Sequence, residues 1–301
     1  MKLSKLPSRI LPLLLCLLLN PTFCFPAEQA AKASSKHSLW KVQGKTNAVY
    51  LFGSIHFLKK EFYPLDAPIE EAFKKSQTVV FETDIAELES PKNALKLMTL
   101  GQFPEGETLE KHLTKETYAK LQKKLKEASV PATLLEQLRP WMAAVTLVVF
   151  EIYKLGFEPS NGIDKYFHRQ ALEAKKKIEG LETVEFQTSL FADLAKEDQE
   201  AFLKQTLDDL DQFEKSFNDI IEGWQTGDSK KIEDLLLDSM RKYPAIFKKF
   251  LTDRNERWVP KIEELLRGGQ NVFVVVGAGH LVGTNGVVEL LKKKGLTVRQ
   301  L

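Results

Sequence analysis

The sequence predicts an α/β fold: a mixed, largely parallel sheet drawn from the two chain ends, with a large helical insertion packed over it. Three observations predict this. Short β-prone runs crowd toward both ends of the chain. The stretch from about 90 to 250 is almost wholly helical in its apolar period. The final segment reads strand, helix, strand, the pattern of a βαβ unit.

Each element has its own signal. Residues 38–42 and 47–52 are β-prone runs around Gly44-Lys45-Thr46 and read as a hairpin. Residues 66–76 form a short amphipathic helix with Ile69, Ala72 and Phe73 inward. Residues 78–81, Thr-Val-Val-Phe, are a buried type of strand. Leu109, Leu113, Leu121 and Leu125 mark amphipathic turns of the insertion. Residues 141–150 are apolar nearly all round, as in a helix at the centre of a core. A helix starts at Gly162, and residues 177–181 suit a strand. Residues 185–250 suit two or three more helices, broken around Gly223–Gly227. A helix over 252–267 ends at Gly268-Gly269. Residues 271–276 are a strand, 286–294 a helix and 296–299 a last strand.

Composition limits the function. The chain has 301 residues, 43% hydrophobic and 28% charged, which excludes disordered, collagen-like and polytopic membrane classes. Lys+Arg number 43 against 41 Asp+Glu, a net +2, too balanced for binding that rests on neutralising phosphates, so no nucleic-acid partner is expected. Two cysteines allow neither a disulfide framework nor a Cys-based zinc site.

Residues 1–24 read as a secretory signal peptide: Lys2, Lys5 and Arg9, then an apolar run over 10–19, then small Thr22 and Cys24. The run is short for a membrane span, which needs about 20 residues; the alternative is an uncleaved N-terminal anchor. Removal of the signal takes away both cysteines and three positive charges. A flexible tether over 25–37 and one domain over 38–301 follow. The expectation is an exported chain, periplasmic or secreted, with no membrane span after signal removal.

One short pattern occurs twice. Tyr50-Leu51-Phe52-Gly53-Ser54-Ile55-His56 and Val274-Val275-Val276-Gly277-Ala278-Gly279-His280 each give three apolar residues and then Gly-x-x-His. Each Gly is expected to allow a sharp turn. Each His would sit just past the carboxyl end of a strand, where ligands bind in open α/β sheets. Only five histidines exist, so two in matched contexts are informative. Glu82 closes another apolar strand, with Asp84 two residues on. Two imidazoles and a carboxylate, His56, His280 and Glu82, make a common ligand set for a catalytic divalent metal with a position left for water. Alternatively one His acts as general base, oriented by Glu82, without metal.

At these residues the chain resembles the TraB/GumN family, which includes the Tiki metalloproteases. The two Gly-x-x-His motifs lie about 220 residues apart, with Glu82 after the first. Tyr63-Pro64-Leu65, Gly162-Ile163-Asp164, Gly180-Leu181-Glu182-Thr183 with Gln187, Arg254-Asn255-x-x-Trp258 and the run from Val276 to Gly286 support the resemblance over roughly 38–300. It implies the fold class of erythromycin-esterase-like and ChaN-like proteins, and that His56, Glu82 and His280 are the site. It implies metal-dependent hydrolysis of a peptide or protein substrate outside the cytoplasm, with the metal's identity open. The alternative is a non-catalytic periplasmic protein that binds a metal, haem or a peptide.

Other residues carry weaker signals. Arg254 either stabilises a developing oxyanion or pairs with an acid behind a helix cap at Thr252 or Asp253. Glu182 is either a polar wall of the crevice or the cap of the next helix. Ser54 lacks a nucleophile-elbow context. His112 and His168 read as surface residues, and Trp40, Trp141, Trp224 and Trp258 as core anchors. Lys292-Lys293-Lys294 reads as a solvated helix end that suits the helix dipole.

Overall fold

The computed structural model describes residues 36–301. The expected signal peptide, and all of the tether before residue 36, lie outside the described residues. Six strands form one sheet: β1 (Leu39–Gln43), β2 (Ala48–Ser54), β3 (Thr78–Phe81), β4 (Lys177–Gly180), β5 (Val272–Gly277) and β6 (Val298–Gln300), in the order β4-β3-β5-β2-β1-β6. β2, β5, β3 and β4 run parallel, and β1 is antiparallel to β2 and to β6. The hairpin is therefore β1–β2, as its turn residues imply. The final strand–helix–strand does make a crossover, but β5 and β6 are separated in the sheet by β2 and β1.

The central strands are continuous apolar runs because both of their faces are covered. Every residue of β2 and β3 is buried, as is β5 up to Val276. On one side Phe167 of the helix α3 (Ile163–Glu173) meets Phe52 edge-on at 5.7 Å between ring centroids and Phe273 at 4.9 Å. Phe73 of the helix α1 (Ala67–Lys74) meets Phe167 at 5.0 Å. The four tryptophans are core residues, as expected: Trp258 is fully enclosed, and Trp224 donates from Nε1 to the Gly53 carbonyl at 2.7 Å.

The helical insertion has a core of its own, in which Leu109, Leu121, Leu125 and Leu135 meet Leu147 of α2 (Pro140–Lys154) and Leu203 and Leu207. Between 184 and 247 there are five helices where the apolar period suggests two or three. Of the extra breaks, only the one before Pro244 has a Gly or Pro to announce it. One falls at a 3₁₀ turn over Leu210–Gln212. There the chain changes cores: Leu203 and Leu207 before it serve the insertion, while Ile221 and Trp224 after it serve the main sheet. Tertiary packing, not propensity, sets this boundary. Among the described residues no helix is long and apolar enough to cross a membrane.

The loop after β2 is held against the start of α3 (Ile163–Glu173). Leu58 and Glu158 exchange backbone hydrogen bonds, and the Ile163 N–H donates to the Ile55 carbonyl at 3.0 Å. Gly162 lets the two segments meet, since a Cβ there would lie 2.2 Å from the His56 carbonyl oxygen. Gly162→Ala is expected to destabilise the fold by about 1–3 kcal/mol, as overpacking does. Gly268→Ala, whose nearest neighbour would lie 3.4 Å away, should stay within about 0.5 kcal/mol of wild type. Thermal or urea denaturation of the two variants measures both values.

Candidate functional site

All four parallel strands deliver a polar residue past their carboxyl ends. β2 leads to His56, β3 to Glu82, β4 to Glu182, and β5 to Gly277 and His280. The β3–β4 ladder runs on past the strands: the Glu182 N–H donates to the Glu82 carbonyl at 2.8 Å, so the two glutamates stand side by side. In the β2–β5 ladder Ser54 pairs with Gly277, which brings the two Gly-x-x-His loops together.

Gly277 marks where the side chains converge. A Cβ built on it would lie 3.3 Å from Glu82 Oε1, 3.6 Å from His280 Cδ2 and 4.0 Å from His56 Nε2. Gly53 serves the same crossing, since its Cβ would lie 3.1 Å from the Ala278 Cα. Neither glycine has a positive φ. Close approach rather than turn geometry therefore requires them, which corrects the reason given for them from sequence.

Arg254 ties the cluster together. It lies in the first turn of α4 (Asp253–Leu265), directly after a π-helical segment over Lys248–Thr252. Nε and Nη2 donate to Glu182 at 2.8–3.1 Å, and Nη2 also donates to Glu82 Oε2 at 2.6 Å. Nη1 donates to the Phe250 carbonyl at 3.3 Å and to His280 Nε2 at 3.1 Å. Neither Thr252 nor Asp253 caps the helix, because the chain enters α4 already helical. The pairing of Arg254 with an acid holds, and those acids are Glu182 and Glu82. Glu82 is further held by the Gly277 N–H at 2.8 Å and by Gln187 Nε2 at 3.1 Å.

The two imidazoles are oriented from behind. Asn255 Oδ1 lies 2.6 Å from His280 Nδ1, and Asn255 Nδ2 donates to the Asn285 carbonyl, which fixes the amide. His280 therefore carries its proton on Nδ1 and offers the Nε2 lone pair to Arg254. His56 Nδ1 is 2.8 Å from Asp164 Oδ2. Its side chain is 62% exposed, against 8% for His280.

Charge follows this geometry. The Asp164 carboxylate holds the His56 imidazolium and raises its pKa to about 9 against the partial burial that opposes it. Burial drives His280 down to about 3, so that ring is neutral. Burial alone would raise Glu82, but the positive charge of Arg254 leads the effects that lower it to about 2.

A profile of the TraB/PrgY/gumN family matches residues 38–300. The chain belongs to the TraB/PrgY/gumN family. A curated relative, Metalloprotease TIKI1 of Xenopus tropicalis, is 24% identical over 349 aligned positions, covering 92% of this chain and 67% of the relative. No solved structure matches the chain significantly.

The residue types at this TraB-family rim, two imidazoles and a carboxylate, are ones that divalent metals commonly take as ligands. Both imidazoles have Nδ1 engaged by an outer partner, as metal-bound histidines commonly do. The cradle at Gly277 touches all three expected ligands, His56, Glu82 and His280. At the same rim Ser54 Oγ and Thr83 Oγ1 are buried without a hydrogen-bond partner. As the side chains stand, however, no group of three His, Cys, Asp or Glu among the described residues is assembled to hold a metal. The guanidinium of Arg254 takes up the lone pair of His280 Nε2 and one oxygen of Glu82.

Other residues fall elsewhere. Ser54 is not poised as a nucleophile. Asp84 accepts from the Glu87 N–H as a helix cap, outside the cluster. His112 and His168 are half-buried rather than surface residues: His112 stacks on Phe103 at 4.1 Å and pairs with Glu107, and His168 abuts Phe81. A groove of about 450 Å³ along β4 is lined by Lys177, Glu179 and Lys261 and includes none of the clustered side chains. Asp164, Asn255 and Gln187 were visible in the sequence only as family-like residues without a role. Nothing in local spacing links Asp164 to His56, 108 positions away.

The pKa directions make a spectroscopic prediction. In an NMR titration His56 should titrate near pH 9, and His280 should stay neutral from pH 5 to 10. Because the folded value of His56 lies above its ordinary 6.5, its pairing with Asp164 supports the fold fully below pH 6.5 and that support is lost as pH rises through 9. Asp164→Asn should bring His56 back toward 6.5. A His56 that titrates near 6.5 in the wild type contradicts the pairing.

Proposed function

We propose that this chain is an exported hydrolase that cleaves peptide bonds, with His56, Glu82, Arg254 and His280 as its reaction centre. The observation that carries the reading is the convergence of His56, Glu82 and His280 on the single cradle at Gly277, at the strand ends where open α/β sheets place ligands. The relative named a metalloprotease supports the peptide substrate and a divalent metal. His56 Nε2, His280 Nε2 and Glu82 would hold that metal. Bound there, it would supply a water acidified toward neutrality and polarise a carbonyl.

The chain's own residues do the rest. Asn255 holds His280 in the tautomer that turns a free Nε2 inward, and Asp164 holds the His56 ring by Nδ1, so that its Nε2 faces the same cradle and gives up a proton when a metal binds. Glu82 is the carboxylate in reach of a proton released in the crevice. Arg254 is the buried cation of the cluster and stabilises negative charge that develops on a carbonyl oxygen. Glu182 fixes Arg254 for that purpose.

With a casein or peptide-library substrate, His56→Ala, His280→Ala and Glu82→Gln should each lower kcat/KM by about 100-fold or more, with His56→Ala keeping a native circular dichroism spectrum although its melting temperature falls with the loss of the Asp164 pair. A chelator should abolish turnover, and readdition of metal should restore it. Unchanged turnover in all three variants overturns the reading.

A further inference from the structure

Arg254 and His280 pose a problem that the proposed function leaves open. A neutral imidazole has one lone pair. In His280 that pair lies on Nε2, because Nδ1 donates to Asn255, and it already accepts from Arg254 Nη1 at 3.1 Å. The same guanidinium holds Glu82 Oε2 through Nη2 at 2.6 Å. A metal on these two ligands needs the electrons that Arg254 now engages, and it would bring a second positive charge against a guanidinium whose side chain is only 7% exposed.

We infer that Arg254 and a divalent cation are alternative partners of His280 Nε2 and Glu82, and that a cation enters only when the guanidinium withdraws onto Glu182. The structure provides the place to withdraw to. Glu182, 5% exposed, already takes Nε on both oxygens and Nη2 on one. Letting go of His280 and Glu82 therefore leaves Arg254 paired rather than stranded. Without a cation, Arg254 neutralises Glu82 and keeps its pKa low. Glu182 thus serves as the parking position, and Arg254 as an internal competitor that sets how tightly the site takes a cation. The inference rests on the His56, Glu82 and His280 ligand set proposed above.

The test is isothermal titration of Co2+ into the purified protein, with the visible absorption of bound Co2+ as a second readout, neither of which needs a substrate. Arg254→Met should bind at least 10-fold tighter than wild type. Arg254→Lys, which keeps the charge but not the N–H reaching His280, should bind several-fold tighter. Glu182→Gln should bind weaker. His280→Ala in the Arg254→Met background should abolish the absorption band, which locates the ion. If Arg254→Met fails to fold with two buried carboxylates unpaired, Arg254→Lys decides: tighter binding supports the competition, and equal or weaker binding overturns it. Binding to wild type that is unchanged or weakened in both arginine variants overturns the inference and leaves the ligand set standing. No binding in any variant overturns the ligand set, and the inference with it.

Discussion

Arg254 shares its guanidinium between two buried carboxylates and a neutral imidazole, and the rim of the sheet is organised around that sharing. Glu82 and Glu182 are 13% and 5% exposed at the side chain, and burying two carboxylates so deeply is costly unless a cation is paired with them. Removing one partner of such a buried network costs about 3–5 kcal/mol, because the remaining charges are left uncompensated. The backbone puts the carboxylates together, since β3 and β4 are neighbours whose ladder continues through Glu82 and Glu182. The cation arrives from the first turn of α4, behind a π-helical turn, a local distortion frequent at functional sites.

Around this ion network the imidazoles are arranged with opposite properties. His280 is enclosed, packed at a tilt against Trp258 at 4.4 Å between ring centroids, and kept neutral. His56 faces solvent and is kept charged by Asp164. One rim thus holds a proton-free nitrogen and a protonated one within reach of the same cradle. Environments that push titratable groups apart are a common basis for dividing acid and base roles.

Much of this was legible in the sequence, for identifiable reasons. The strands carrying the Gly-x-x-His motifs are continuous apolar runs, and such runs ending in Gly and a polar residue can be read without a structure. Placing His56, Glu82 and His280 at one rim needed only the rule that parallel strands share an end. The supporting partners were not legible. Asp164 reaches His56 only because Gly162 lets α3 begin against the His56 carbonyl, a contact that no local pattern encodes. The five helices between 184 and 247 were undercounted in part because the break at Leu210–Gln212 arises from a switch between two cores. Arg254 offered two readings, acid-paired or oxyanion-stabilising; the first is present in the fold, and it leaves the second open as chemistry.

The convergence itself is tested most directly by an experimental structure of the protein crystallised with Mn2+, with anomalous scattering locating the ion. The account predicts one peak beside Gly277, bounded by His56 Nε2, Glu82 and His280 Nε2, with Arg254 bonded to Glu182 alone. A structure in which His56 turns away from Asp164 and the three side chains face separate regions would contradict it.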